Sequence, residues 1–219
     1  MHNTSSPATD STINANNGTQ FNGVTFRATG KVNSATSYPN TTDYLQVNDS
    51  NSLDLTGNGT ISLWVKTSTL PYNTTDYELV FKRNGSGTNY QFFLAGIQRS
   101  AHQNELGLYN GSSIYWSGWS ISIDNWYQVT IARTGTNSMT FYVNGAPKNT
   151  VAANWGTYLN SPLYIGGDGN TVGGYNKFPG TLDELRISNI ARSSPWIKFE
   201  YANISQNDNE LTWGGEEAL

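Results

Sequence analysis

Apolar and polar residues alternate along most of this chain with the period of two that a β-strand imposes. In GTISLWVKTS, Ile61, Leu63 and Val65 fall on one face, and Trp64 and Lys66 on the other. The same pattern predicts two strands in YELVFKRNGSGTNYQFFLAG, turning at Asn84-Gly85, and two more in NELGLYNGSSIYW, turning at Asn110-Gly111. MTFYVNGAPKN predicts a third hairpin at Asn144-Gly145, and WYQVTIART and SPLYIGG supply further strands. Asn-Gly between alternating runs is the strongest short-range hairpin signal, because both residues accept a positive φ. Helical periodicity is nearly absent. Its best candidate is SSPWIKFEYAN, with Ser194 as cap and Pro195 in the first turn. Short strands, tight turns and no alternation of strand with helix predict an all-β chain. Its expected form is a two-sheet antiparallel β-sandwich of jelly-roll type with at most one or two short helices. Residues 1–219 read as a single domain, in which residues 1–8 are a flexible lead and residues 205–219 a final strand or the start of a linker.

One segment does not fit that simple alternation. In FPGTLDELRISNIAR, Leu185 and Ile187 share a face, with Glu184 and Arg186 on the other. Asp183 then falls on the apolar side, where a carboxylate is costly unless something pairs with it. Backbone amides, or an arginine such as Arg186 or Arg192, are one kind of partner; Arg186 is expected to point the opposite way. A hard metal ion is another. Glu184 reads as a surface ion pair.

Composition narrows the function. Charged residues are 13% of the chain and the net charge is −4, so there is no basic surface of the kind phosphate binding needs. Aromatics also stand at 13%, with seven Trp, enough for a sizeable core and a binding surface. Cysteine is absent, which excludes a disulfide framework and a thiolate zinc site. No apolar run approaches membrane-spanning length, no signal peptide opens the chain, and Met1 followed by HNTSSPATD reads as the start of an excised domain. A polar complement of Asn, Ser, Thr and Gly suits an extracellular or cell-surface protein. Sequons such as those at Asn17, Asn58 and Asn110 follow from that composition.

Several segments together resemble the laminin-G-like, concanavalin A-like jelly-roll domains of prokaryotic surface and secreted proteins. DSTINANNGT resembles their opening loop, although Ile13 and Ala15 stand where glycines are usual. TTDYLQVNDSNSLDLTGNGTISLWVKTS resembles the next two strands, NWYQVTIARTGTNSMTFYVNG the hairpin from Trp to Asn-Gly, and FPGTLDELRISNIARS the closing strand. The resemblance implies a structural Ca2+ joining the opening loop to the closing strand. Its ligands here would be Asp10, Asn14, Asn16 and Asp183, with Asn17 beside them, since calcium takes six to eight hard oxygens.

Catalytic signals are sparse. Only His2 and His102 are present, and a lone loop histidine such as His102 is ordinarily solvated. No strand carries the Glu-x-Asp-x-x-Glu pattern that jelly-roll glucanases use, and the Gln98-to-His102 spacing does not match that of the alginate lyases. The glycine-rich IGGDGNTVGG lacks the helix or lysine of a phosphate cradle. Aromatics say more. Tyr115, Trp116 and Trp119 cluster in SSIYWSGWSIS, where Gly118 can bulge the strand, and Trp155 and Tyr175 lie in loop-like sequence. Exposed rings of this kind stack on sugar C–H faces; buried ones pack a core, the expectation for Trp64 and Trp126. The resulting expectation is a non-catalytic, lectin-like domain that binds a glycan or polysaccharide through Tyr115, Trp116, Trp119, Trp155 and Tyr175. It would form part of a larger multidomain chain, with no nucleic acid and no membrane insertion. An adhesion or spacer module binding a surface protein is the alternative, and a polysaccharide-active enzyme a third.

Overall fold

The structure, a computed structural model, describes residues 8–40, 42–71, 76–84, 87–95, 99–167 and 178–205. Its strands are β1 (Gly18–Phe21), β2 (Thr25–Thr29), β3 (Ser34–Tyr38), β4 (Tyr44–Val47), β5 (Gly59–Thr67), β6 (Tyr77–Asn84) and β7 (Gly87–Leu94). They continue with β8 (Glu105–Tyr109), β9 (Ile114–Ser120), β10 (Tyr127–Thr134), β11 (Ser138–Val143), β12 (Ala146–Val151), β13 (Leu163–Ile165) and β14 (Gly180–Ser188), followed by a helix, α1 (Ser194–Ser205). Two seven-stranded antiparallel sheets result. The first runs β1-β4-β13-β6-β7-β8-β9 and the second β12-β11-β10-β5-β14-β3-β2. This is the predicted sandwich, with β4, β13 and β14 supplying the long-range pairings that no hairpin signal announces.

Alternation builds the core. Ile61, Leu63 and Val65 of β5, Val129 and Ile131 of β10 and Phe141 of β11 face Tyr90, Phe92 and Leu94 of β7 and Leu106 and Leu108 of β8 across the sandwich. Each is essentially inaccessible to water, and fully burying such a side chain contributes about 1.5–3 kcal/mol. Two turns show the chemistry at work. At the β11–β12 hairpin Asn144 and Gly145 take φ of 51° and 73°, the paired left-handed conformation predicted for Asn-Gly. At β8–β9 the loop is longer: the Asn110 side-chain oxygen accepts from the amides of Ser112 and Ser113 at 3.1 and 2.9 Å, and Gly111 takes φ 90°. Gly85 lies outside the described residues, while β6 and β7 pair on either side of it as expected.

Both faces of β5 are buried, because α1 covers the outer face of the second sheet. Ile197 packs with Ala132 and Tyr142, and Tyr201 stacks on Trp64 with ring centroids 5.6 Å apart. Trp64 is therefore buried as expected, but under the helix and not in the main core; Trp126 is half-buried. The helix begins one residue earlier than predicted from its cap. Ser193, not Ser194, accepts the Trp196 amide through its hydroxyl and the Ile197 amide through its carbonyl.

The alternation expected for β14 fails at one residue. Asp183 lies opposite Trp64 and Arg186 opposite Ser62, so three steps along β14 match two along β5. The extra residue is a β-bulge in which Glu184 adopts φ 50°. A bulge reverses the phase of everything beyond it. Leu182 and Ile187 both face the core strands, while Asp183 and Arg186 both emerge on the outer face beside Trp64 and Ser62. Asp183 is thus not on the side of Leu185 and Ile187, and Arg186 is not on the opposite side from Asp183.

Candidate functional site

Asp183 is 4% exposed and its carboxylate is filled by backbone donors. Oδ2 accepts from the amides of Lys31 and Val32 at 2.8 and 2.9 Å, and Oδ1 from the amide of Glu184 at 2.9 Å. Gly30 makes the approach possible, since a Cβ there would lie 2.7 Å from Oδ2. Burial raises the Asp183 carboxyl above the usual carboxylate range and the Glu184 charge adds to the rise, against the lowering effect of the three amides. Asp10 is engaged in a similar way at the opening loop. It accepts from the Thr12 amide and hydroxyl and from the Asn16 amide, at 2.8–2.9 Å. Burial acts to raise its carboxyl, but these bonds outweigh it and hold it below the ordinary value. Asn17 turns its side-chain oxygen to the Asp10 amide, and Asn16 exchanges hydrogen bonds with Ser52.

In this arrangement the two aspartates that the family resemblance assigns to calcium are held by the protein's own donors. One oxygen of each receives two donors and the other receives one. The two residues also turn to different neighbours: Asp183 to the segment Gly30–Val32, Asp10 to its own loop. Among the described residues, no group of three or more His, Cys, Asp or Glu is placed to hold a metal. Amide donors alone account for the buried Asp183.

The outer face of the first sheet carries a different arrangement, at its β8–β9 edge. Trp116 projects from β9 opposite Gly107 of β8, and Gly107 leaves room for it; a Cβ there would meet the Phe93 and Trp116 rings at 2.9 Å. Phe93 meets Trp116 edge to face at 5.7 Å. On the other side the His102 ring lies parallel to the indole, centroids 4.3 Å apart and planes 5° from parallel. A 3-10 turn over Ser100–His102 brings the histidine there, and its Nδ1 is 2.7 Å from Glu105 Oε2. The same carboxylate accepts the amide of Gly118, which stands at φ 70°. Trp116 is half-buried, and the His102 side chain is 38% exposed. Further along the face the charged side chains are tied in pairs. Glu78 accepts from Gln91 at 2.6 Å and lies 3.2 Å from Arg83, and Asp76 lies 3.3 Å from Arg99. Aromatic rings continue across the sheet, Phe21 on Tyr44 at 4.6 Å and Phe81 on Tyr164 at 5.2 Å.

Of the aromatics singled out in the sequence, the structure places Trp116 on this face. Tyr115 is half-buried and packs on the core from the opposite side of β9. Trp119 does the same, edge to face with Tyr127 at 4.9 Å, so the bulge at Gly118 does not bring it beside Trp116. Trp155 is 4% exposed; its indole N–H donates to the Gly57 carbonyl at 3.0 Å and its ring meets Tyr90. It is a core residue and presents no face to a sugar. Tyr175 lies outside the described residues. His102, expected as a solvated loop histidine, is instead stacked on Trp116, and its neighbours here, Glu105 and Gly107, were not among the residues singled out in the sequence. The last two were readable from ELGLY, where they alternate with the core residues Leu106 and Leu108.

Comparison with known proteins agrees with the architecture. The family described as the concanavalin A-like lectin/glucanases superfamily matches residues 39–198, more than half of the chain. A search of functionally curated proteins gives no match. Among solved structures, the chain is similar to domain 4 of AbnA, a GH43 extracellular arabinanase from Geobacillus stearothermophilus, in complex with arabinotriose. Identity is 21%, TM-score 0.63, and the match covers 86% of this chain and 88% of that one. It is similar also to the binding domain of Paraclostridial Mosquitocidal Protein 1 (18%, TM-score 0.67, 89% and 49% covered) and to the botulinum neurotoxin serotype G binding domain (16%, TM-score 0.66, 91% and 49% covered). The chain spans about half the length of those two toxin structures. At such identities the likeness speaks for the fold, and with the sheet order and the family match it gives one conclusion: this chain belongs to the concanavalin A-like lectin/glucanase superfamily.

Proposed function

We propose that the chain is a non-catalytic, extracellular carbohydrate-binding module that holds a neutral glycan at the β8–β9 edge of the first sheet. One observation carries this reading: the Trp116–His102 stack, fixed by Glu105 beneath it and left half-open to solvent. Aromatic surfaces held rigid in this way bind sugar C–H faces, while neighbouring fixed polar groups take the hydroxyls. Affinity at one shallow, wet site of this kind is modest. The similarity to an arabinanase domain solved with arabinotriose supports the ligand class. Support for a non-catalytic role comes from the acids of this face. Glu78, Asp76 and Glu105 are each bound to an arginine or histidine of their own, whereas glycoside hydrolysis needs two carboxyl groups facing each other across the substrate.

The toxin binding domains among the similar structures favour a second reading, a module that attaches a larger protein to a surface component. Affinity electrophoresis against arabinan, xylan and β-glucan separates the two. Retardation by a polysaccharide that disappears in both Trp116→Ala and His102→Ala, with each variant still folded by circular dichroism, is the expected result. Migration indifferent to every polysaccharide would remove the glycan reading and leave the attachment module.

A further inference from the structure

A second concavity lies on the far side of the molecule from Trp116, between the opening loop and α1. Its volume is about 470 Å3, within the range of small-molecule sites. The β14 bulge forms its floor. There Arg186 is clamped by two carboxylates, Nη1 to Glu200 Oε1 at 2.7 Å and Nη2 to Glu184 Oε2 at 2.5 Å. Glu200 is buried and is held from behind by Gln128 at 3.3 Å, with Ser62 at 3.5 Å. The guanidinium thus has a fixed plane and still carries N–H donors beyond the two it spends. Its side chain is 47% exposed. On the opposite wall Arg192 lies over the Trp196 ring at 4.5 Å, and its guanidinium makes no hydrogen bond or ion pair among the described residues. Asn14 stands at the rim, exposed.

We infer that this groove is a second saccharide site, for the neutral, hydroxyl-rich end of a short oligosaccharide. The inference rests on the reading of the chain as a glycan-binding module but concerns a separate face. Two features argue for the ligand class. The Arg186 guanidinium is held in place by Glu184 and Glu200 and keeps N–H donors to spare, so a ligand supplying oxygen acceptors meets it at little ordering cost. Its charge is also nearly balanced: three carboxylates (Asp10, Glu184, Glu200) stand against two guanidiniums, which leaves one negative charge inside a chain of net charge −4. A uronate would enter against that field, and a neutral sugar would not. The positive φ of Glu184 places backbone strain at the floor of this groove, where strain commonly accompanies a binding function.

The test is amide and indole chemical-shift mapping of the labelled chain with neutral trisaccharides of arabinose, xylose and glucose, and with trigalacturonate. The signals of Ser62, Arg186, Arg192 and the Trp196 indole are expected to move with at least one neutral trisaccharide. They should move equally in Trp116→Ala and stay still in Asn14→Trp, whose ring plugs the groove from an exposed rim position. Shifts confined to Trp116 and His102, or groove shifts that persist in Asn14→Trp, or a stronger response to trigalacturonate than to any neutral sugar, would overturn the assignment. Groove shifts without any at Trp116 would instead overturn the reading of the β8–β9 edge and leave this one standing.

Discussion

On the outer face of the second sheet, Trp64 lies against Tyr201 and is 2% exposed; on the outer face of the first, Trp116 lies against His102 and remains half-exposed. Both indoles project from a strand away from the core, and both stack on a ring supplied by a later or neighbouring segment. They differ in what lies beyond the stacked ring. Tyr201 belongs to a twelve-residue helix that is itself fastened to the sheet by Ile197 and Glu200. His102 belongs to a three-residue turn whose hold on the sheet includes the Glu105 carboxylate. The first pair is sealed, and its energy goes into stability. The second leaves part of its surface to the solvent, and so to a ligand.

Truncation of the two indoles tests that contrast most directly. Trp64→Ala should cost about 3–5 kcal/mol, the range for emptying a buried aromatic site. Trp116→Ala should cost about 1–2 kcal/mol, mainly the edge-to-face contact with Phe93 and partial burial. Urea unfolding at equilibrium measures both. Equal losses would make Trp116 a structural residue and remove the basis for a site at the β8–β9 edge.

Asp183 sharpens the comparison, because it lies on the sealed side next to Trp64. Asn in its place keeps one acceptor oxygen but turns an NH2 group toward backbone N–H donors, so Asp183→Asn should cost about 3 kcal/mol. Chelation with EGTA, by contrast, is expected to leave the wild-type melting temperature unchanged, since the amides of Lys31, Val32 and Glu184 already satisfy the carboxylate. A ligand bound only by the native state stabilises it by mass action, so a melting point that falls by several degrees on chelation would reinstate the ion. On the open side the corresponding change is smaller. Gly107→Ala should cost about 1–2 kcal/mol as the new methyl pushes Trp116 and Phe93 apart. Glycan affinity should drop with it if the indole is the platform; unaltered affinity would place the sugar elsewhere.

The sequence disclosed the sandwich because a period of two survives in nearly every strand, and Asn144-Gly145 named its turn outright. It misplaced Asp183 for a specific reason. Alternation counts residues, and the bulge at Glu184 adds one that no Gly or Pro announces, since Glu is an uncommon occupant of positive φ. Trp155 looked loop-like in ANWGTYLNS, yet its burial depends on a carbonyl at Gly57 and a ring at Tyr90, both remote in sequence. His102 could be read only as a loop histidine. Its significance comes from a strand fourteen residues on, whose facing position happens to be a glycine. Pairings of that kind are properties of the folded sheet, and local pattern carries no trace of them.

The smallest effect belongs to the carboxylate that fastens the helix. Burial raises the carboxyl of Glu200 above the usual glutamate range, and the charge and hydrogen bonds of Arg186 recover only part of that rise. Arg186, held between two carboxylates, is raised as well and stays charged. A carboxyl whose folded value exceeds its unfolded one takes up its proton more readily in the native state. Its contribution to stability is therefore full below the ordinary glutamate value and is lost as pH rises through the folded value. Glu200→Gln removes that dependence, because the amide does not titrate. The difference in melting temperature, variant minus wild type, should accordingly climb with pH between the ordinary glutamate value and the raised one, and level off above it. Asp183, raised in the same direction, remains in both proteins and cancels. A difference that stays flat across that window would mean that Glu200 titrates as a solvated acid, and that the helix does not seal this face as tightly as the Trp64–Tyr201 stack implies.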